Sequence, residues 1–295
     1  MNLAGILPAI VTPIDEYEEF APRSLEVLLE RLYEAGVHGV YVSGQTGEGL
    51  LGPTAHREQV IEVAIRNTPP DRIVIAHVGS HRTSDAIRLA KHSARLGAAA
   101  ISSLPPIGAY SLKEVKQYYE TLAAATDCPV LVYYFPELSR PIASLEAQRE
   151  LLTIPNVVGI KFTSFDLYSL SKLKQGGAVV FNGHDEVLAA GLLMGADGGI
   201  GSFYNLVPEL FVDVYNKAKS GDWDGAIATQ SRINELIEIV LRFPMLPAIK
   251  TMLSWSGIDC GSCFLPRRRL SADEETRLAA LLAQSSFAES LFAKP

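Results

Sequence analysis

The chain has 295 residues, 48% hydrophobic and 20% charged, with a net charge of −7. This is an ordinary balance for a globular enzyme, and it lacks the basic footprint of a nucleic-acid partner. No apolar run approaches the ~20 residues that span a bilayer, and Met1-Asn2-Leu3-Ala4-Gly5 lacks the charged and apolar regions of an export signal, so no membrane partner and a cytoplasmic location are expected.

Strand-like apolar runs alternate with amphipathic stretches from the start. Ile6 to Thr12 reads as a strand and Ser24 to Ala35 as a helix. Gly39 to Ser43 and Thr54 to Asn67 repeat the unit, as do Arg72 to Val78 and Ser84 to Leu96. Ala98 to Ser103 with Leu112 to Ala125 gives a fourth, and Pro129 to Tyr134 with Leu145 to Leu152 a fifth. Val157 to Phe162 precedes Asp166 to Leu173, and Val179 to Asn182 precedes Glu186 to Met194. Gly198 to Ser202 and Val207 to Lys219 form the eighth unit.

Repeated strand-then-helix units with short connections predict a parallel sheet closed into a (β/α)8 TIM barrel. An open doubly wound sheet uses similar units, but no Gly-rich dinucleotide fingerprint follows the first strand. Beyond Gly221 only helical periods remain, over Trp223 to Arg242, Leu246 to Trp255 and Ala272 to Ala283. The expected division is a catalytic barrel over 1–221 and a C-terminal helical extension over 222–295. Leu265-Pro266-Arg267-Arg268-Arg269 reads as a solvated basic turn.

Cys128, Cys260 and Cys263 are too few and too odd in number for a disulfide framework. The Cys260–Cys263 spacing suits redox or zinc chemistry, but no second pair completes a metal site, so it reads as coincidence. No His and carboxylate cluster has metal-ligand spacing either, so neither a metal nor another cofactor is expected.

Lys161 stands out because it lies in Val157-Val158-Gly159-Ile160-Lys161-Phe162, a run suited to a strand buried on both faces. Burial disfavours an ammonium, and the neutral amine attacks ketones to form a Schiff base. A strand-end lysine that reaches solvent fits the same run. Other polar residues fall at further strand ends, where barrel enzymes gather their chemistry. Ser43-Gly44-Gln45-Thr46-Gly47-Glu48-Gly49 is either a tight turn or a nest of N–H groups for a carboxylate. Tyr133 reads as a core aromatic or a proton relay. Asp185 and Glu186 offer acceptors to a polyhydroxylated ligand, or cap the helix they begin, and Ser202 adds a polar contact.

With these residues the chain resembles the pyruvate-dependent class I aldolase superfamily of N-acetylneuraminate lyase and dihydrodipicolinate synthase. The resemblance rests on Gly44-Gln45-Thr46-Gly47-Glu48, on Tyr133, and on Gly159-Ile160-Lys161. The lyase branch is the better match, through Phe162-Thr163, Asn182-Gly183-His184-Asp185-Glu186 and the run from Gly191 to Ser202. Synthases hold a substrate carboxylate with an arginine where this chain has Leu138.

The resemblance implies a homotetramer that cleaves N-acetylneuraminate to N-acetylmannosamine and pyruvate, with a covalent imine on Lys161 and no cofactor. It makes Lys161, Tyr133 and Thr46 catalytic, and gives Gln45, Thr163, Gly183, Asp185, Glu186 and Ser202 to the substrate. Another 2-oxo-3-deoxy sugar acid, cleaved or dehydrated, is the alternative substrate. Dihydrodipicolinate synthesis and a silent sugar-acid-binding barrel are further alternatives. Three departures bear on the choice: Gln45 replaces a small hydroxyl residue, Tyr110 stands in a shortened loop where a tyrosine reaches the neighbouring subunit, and Arg140 puts a cation near the entrance.

Overall fold

The computed structural model describes residues 3–290 and 292. Met1 and Asn2, on which the reading of the start partly rests, lie outside them, as do 291 and 293–295 of the expected extension. Strands β1 (Gly5–Pro8), β2 (Gly39–Val42), β3 (Ile73–His77), β4 (Ala100–Ser103), β5 (Val130–Tyr134), β6 (Val157–Phe162), β7 (Val179–Asn182) and β8 (Gly198–Gly201) alternate with helices. All pair in parallel, in the order β1-β8-β7-β6-β5-β4-β3-β2. The barrel closes between β1 and β2, where His38 N–H donates to Ile6 O at 2.9 Å and Ile10 N–H to Tyr41 O at 3.0 Å. The fold is the (β/α)8 barrel that the alternating pattern predicts.

The helices form for local reasons. In α1 (Pro22–Glu34) Pro22 opens the helix, where a missing N–H costs nothing, and Leu25, Leu28, Leu29 and Leu32 form one buried stripe. After α2 (Thr54–Arg66), α3 (Thr83–Leu96) ends at Gly97, whose φ of 92° closes the last turn. A capping box of Ser111 and Glu114 starts α4 (Leu112–Ala124). The ring continues through α5 (Leu145–Leu151), α6 (Leu167–Gln175), α7 (Leu188–Leu193) and α8 (Pro208–Ser220). Three helices follow: α9 (Trp223–Val240), α10 (Met245–Trp255) and α11 (Ala272–Ala283). Among the described residues no helix is long and apolar enough to cross a membrane.

Two apolar layers result from the period of two in the strands. Leu7, Tyr41, Ile75, Leu131, Tyr133, Phe181 and Ile200 fill the barrel interior, while Val130, Val132, Ile160 and Phe162 join the larger layer beneath the helices. Lys161, between Ile160 and Phe162, therefore points into the barrel, where its Nζ meets the rings of Tyr41 and Tyr133.

The first strand is shorter than expected. Pro8 offers no N–H, and after the contacts of Ala9 and Ile10 the chain leaves the sheet, with Thr12 Oγ1 donating to Gly47 O at 2.7 Å. The seventh helix is also shorter, because Asp185–Val187 form a separate 3₁₀ turn before α7.

Candidate active site

The C-terminal ends of the strands open into a cavity of about 850 Å³. Gln45, Thr46, Tyr133, Lys161, Thr163, Gly183, Asp185, Glu186 and Ser202 all line it. Five strand ends thus bring together every site residue named from the sequence.

Lys161 is 5% exposed, and register places it beside Tyr133 on β5 and Phe181 on β7. Its Nζ stands 3.8 Å from the centroid of the Tyr133 ring and 5.1 Å from that of Tyr41. No carboxylate pairs with it among the described residues, so the amine is held by aromatic faces alone. The side chain ends in the cavity, within reach of a carbonyl group bound there.

The turn after β2 is backbone-strained. Ser43 and Glu48 occupy the left-handed region at φ 57° and 53°. Thr46 Oγ1 shares a hydrogen bond of 2.7 Å with Ser202 Oγ after β8, so the two walls of the cavity meet there. Beneath the turn lies a polar pair that the sequence reading did not single out. His77 is buried in β3, with Nδ1 3.1 Å from Ser43 O, while its Nε2 accepts from Leu104 N–H at 3.1 Å. Those partners suit a neutral ring with its proton on Nδ1. Burial, then the charge of Arg57, holds His77 well below the usual histidine range. Arg57 donates to Gly79 O and His77 O, which ties α2 to the end of β3.

Opposite, Asp185 is buried, and its Oδ2 accepts from Phe203 N–H at 2.7 Å. Burial is the largest influence and pushes this carboxyl up to about 7, against that hydrogen bond. Burial also raises Glu186, but the hydrogen bond and charge of His184 outweigh it, so Glu186 ends below its ordinary value. His184 is stacked on Phe165 with ring centroids 4.0 Å apart. The helix-capping alternative for Asp185 and Glu186 does not hold, since Val187 stands at the cap of α7 and Asp185 caps the 3₁₀ turn after β8 instead. Thr163 Oγ1 is buried without a hydrogen-bond partner among the described residues. It faces Gly183, where any side chain would collide with it.

One expectation from the sequence needs correction. Leu265–Arg269 is not simply a solvated turn: Pro266, Arg267 and Arg268 line the cavity, and Arg267 Nη1 lies 3.4 Å from the fully buried Glu48 Oε1. Arg140 is exposed at the start of the 3₁₀ turn Arg140–Ile142 and is not among the residues lining the cavity, whereas Leu138 is. Tyr110 is 42% exposed before α4 and also lies outside the cavity. All three cysteines are free and buried, and burial pushes Cys260 up to about 12 and Cys263 to about 11, as suits inert thiols. Among the described residues no group of three or more His, Cys, Asp or Glu is placed to hold a metal ion.

Comparison with known proteins agrees with the fold. The profile of the Dihydrodipicolinate synthetase family matches residues 2–285. The N-acetylneuraminate lyase of Rhizobium meliloti (strain 1021) is 35% identical over 284 residues, covering 95% of this chain and 94% of that protein. A Clostridium difficile protein, CdNal, solved in complex with mannosamine, superposes with a TM-score of 0.92 at 27% identity, over 97% of this chain and all (100%) of the other. A solved dihydrodipicolinate synthase gives a TM-score of 0.88 at 26% identity, over 96% and 99%.

Proposed function

Because the chain belongs to the Dihydrodipicolinate synthetase family, whose members are pyruvate-dependent class I aldolases, we propose that it cleaves N-acetylneuraminate to N-acetylmannosamine and pyruvate. The observation that carries this reading is the buried Lys161 amine over the Tyr133 ring, facing the carboxylates of Asp185 and Glu186 across one cavity. The relatives' names supply the substrate.

In the proposed cycle the Gln45–Thr46 turn holds the carboxylate of the 2-oxo acid. Lys161 adds to the C2 ketone, and loss of water leaves a protonated imine. Tyr133 takes the proton of the 4-hydroxyl as the C3–C4 bond breaks, and the bonding pair moves into the imine to give an enamine. Protonation at C3 and hydrolysis then release pyruvate. Thr163, with its unpartnered hydroxyl, faces the reacting 4-hydroxyl. Gly183, Asp185, Glu186 and Ser202 receive the hydroxyl tail. Thr46 orders the turn through its bond to Ser202.

No step requires a cofactor. We also read residues 1–221 as the catalytic barrel and the protein as a homotetramer. Exposed Phe165, Tyr168 and Leu193 on one side, and Ile107 and Tyr110 on another, offer apolar surface for subunit contacts. Light scattering on the purified protein tests that assembly.

Borohydride reduction with pyruvate, followed by peptide mass, tests the chemistry: a reduced pyruvyl adduct on Lys161 is expected, and its absence sinks the Schiff-base reading. A second reading, a shorter 2-oxo-3-deoxy sugar acid, rests on Gln45, which puts an amide on the cavity wall where the family has a small hydroxyl. A substrate panel separates the two. Turnover of 2-keto-3-deoxygluconate or -arabonate with inert N-acetylneuraminate selects the second.

A further inference from the structure

Glu48 is a fully buried carboxylate shared by two cations. Lys250 of α10 pairs as an ion with Oε2 at 3.1 Å, and its ammonium donates hydrogen bonds to Thr12 O at 2.8 Å and Ser262 O at 2.6 Å. Phe264 N–H donates to Glu48 Oε1 at 3.0 Å, and Arg267 Nη1 approaches the same oxygen at 3.4 Å. One negative charge thus faces two positive ones, and a unit of positive charge is left over.

That surplus falls on the cavity wall. Lys250 is 2% exposed through its side chain, whereas Arg267 is 36% exposed and lines the cavity. Arg268, its neighbour there, spends its guanidinium on a two-pronged pair with Glu274 at 2.6 and 2.7 Å and on Arg269 O. Arg267 makes only the one contact with Glu48, so most of its five N–H donors remain unused among the described residues.

Its position is fixed relative to the turn after β2. Glu48 N–H donates to Gln45 O at 3.1 Å, so the residue that holds Arg267 belongs to the same tight turn as Gln45 and Thr46. The cavity consequently has two ends, with Arg267 on the side of the Gln45–Thr46 turn and the acidic side chains of Asp185 and Glu186 at the end of β7.

We propose that Arg267 is a specificity-determining residue, a cation supplied by the segment after α10 that selects substrates carrying a carboxylate next to the Gln45–Thr46 turn. The inference rests on the class I aldolase reading and adds a residue and a substrate polarity to it. A guanidinium presents paired donors to a carboxylate, and each such contact favours the anion. The two ends of the cavity orient the substrate, anionic end toward Arg267 and hydroxyl tail toward Asp185.

The test uses the full-length protein with Arg267→Gln and Arg267→Lys. Lys250 still partners Glu48 in both, so the buried carboxylate is not left alone. The first readout is the pyruvate concentration that gives half-maximal borohydride trapping on Lys161. Arg267→Gln raises it about tenfold, as loss of one charged contact predicts, and Arg267→Lys restores most of the affinity. Added salt weakens pyruvate capture by the wild type and has little effect on Arg267→Gln. KM for the neutral aldehyde in the condensation direction stays within twofold of wild type.

Half-saturation by pyruvate within twofold of wild type in Arg267→Gln overturns the inference, whatever the change in melting temperature. An equal loss for the neutral aldehyde overturns it too, since that outcome reports a distorted cavity. If the wild type itself forms no adduct on Lys161, the aldolase reading falls and takes this inference with it.

Discussion

Asp185 offers the sharpest test of the electrostatics of the cavity. Its carboxyl is buried, accepts one backbone N–H from Phe203, and is pushed by burial from 3.8 up to about 7. The charge of Glu186 adds to the rise, while Lys161 and His184 oppose it. Between pH 4 and 7 the folded protein therefore holds a proton that the unfolded chain has released. The stability this proton contributes is fully present below the unfolded value, declines as pH rises, and is gone once pH passes the folded value. A gap of about three units corresponds to about 4 kcal/mol, at about 1.4 kcal/mol per unit.

Asp185→Asn removes the titration and keeps an oxygen that accepts from Phe203. Relative to the variant, the wild type should lose about 3 kcal/mol between pH 5 and pH 8, most of it below pH 7. Urea unfolding at several pH values and one fixed protein concentration measures this difference directly. A gap between the two proteins that varies by less than about 1 kcal/mol over that window would refute the reasoning. Function supplies an independent reading. The ionised carboxylate is the better acceptor for a sugar hydroxyl, so wild-type KM for the sugar acid should fall as pH rises through 7. In Asp185→Asn that dependence should vanish while trapping of pyruvate on Lys161 persists.

Three further outcomes are expected. Tyr133→Phe keeps the aromatic face under Lys161 and should still give the borohydride adduct, but should lose about 10²- to 10⁴-fold in cleavage rate; loss of the adduct instead would assign Tyr133 a different role. Glu48→Gln leaves Lys250 and Arg267 without their shared counter-charge and should cost about 3–5 kcal/mol in chemical denaturation; a cost below about 1 kcal/mol would show that the buried charges are compensated elsewhere. Gly183→Ala drives a methyl into the Thr163 hydroxyl and should cost about 1–3 kcal/mol and raise KM for the sugar acid, and unchanged values for both would show that the wall yields.

How much of this was legible in the sequence depends on the range of the interaction involved. Helix and strand periods are local, so the eight units and the stripe of Leu25, Leu28, Leu29 and Leu32 could be read directly. The strand carrying Lys161 was legible in the same way, but its apolar run fits either face, and the inward aim came with the structure. Strand ends were less legible. Thr12 looks like strand by composition, yet its hydroxyl is claimed by Gly47, thirty-five residues away.

The buried charges were not legible. Glu48 sits between two glycines in a segment that reads as a tight turn or a nest for a carboxylate, and Arg267 lies among arginines that read as a solvated turn. They meet across 219 residues, and neither segment shows by itself that the other will cover it. His77 and Arg57 pose the same problem, since an imidazole in a strand and an arginine in a helix announce neither burial nor each other. Composition does impose a condition. A carboxylate withdrawn from water demands a cation, and a protein that buries one must bring the partner from wherever the chain has it. Here the partners come from α10 and the segment after it, so the last helices are bound to the substrate turn by charge as well as by packing.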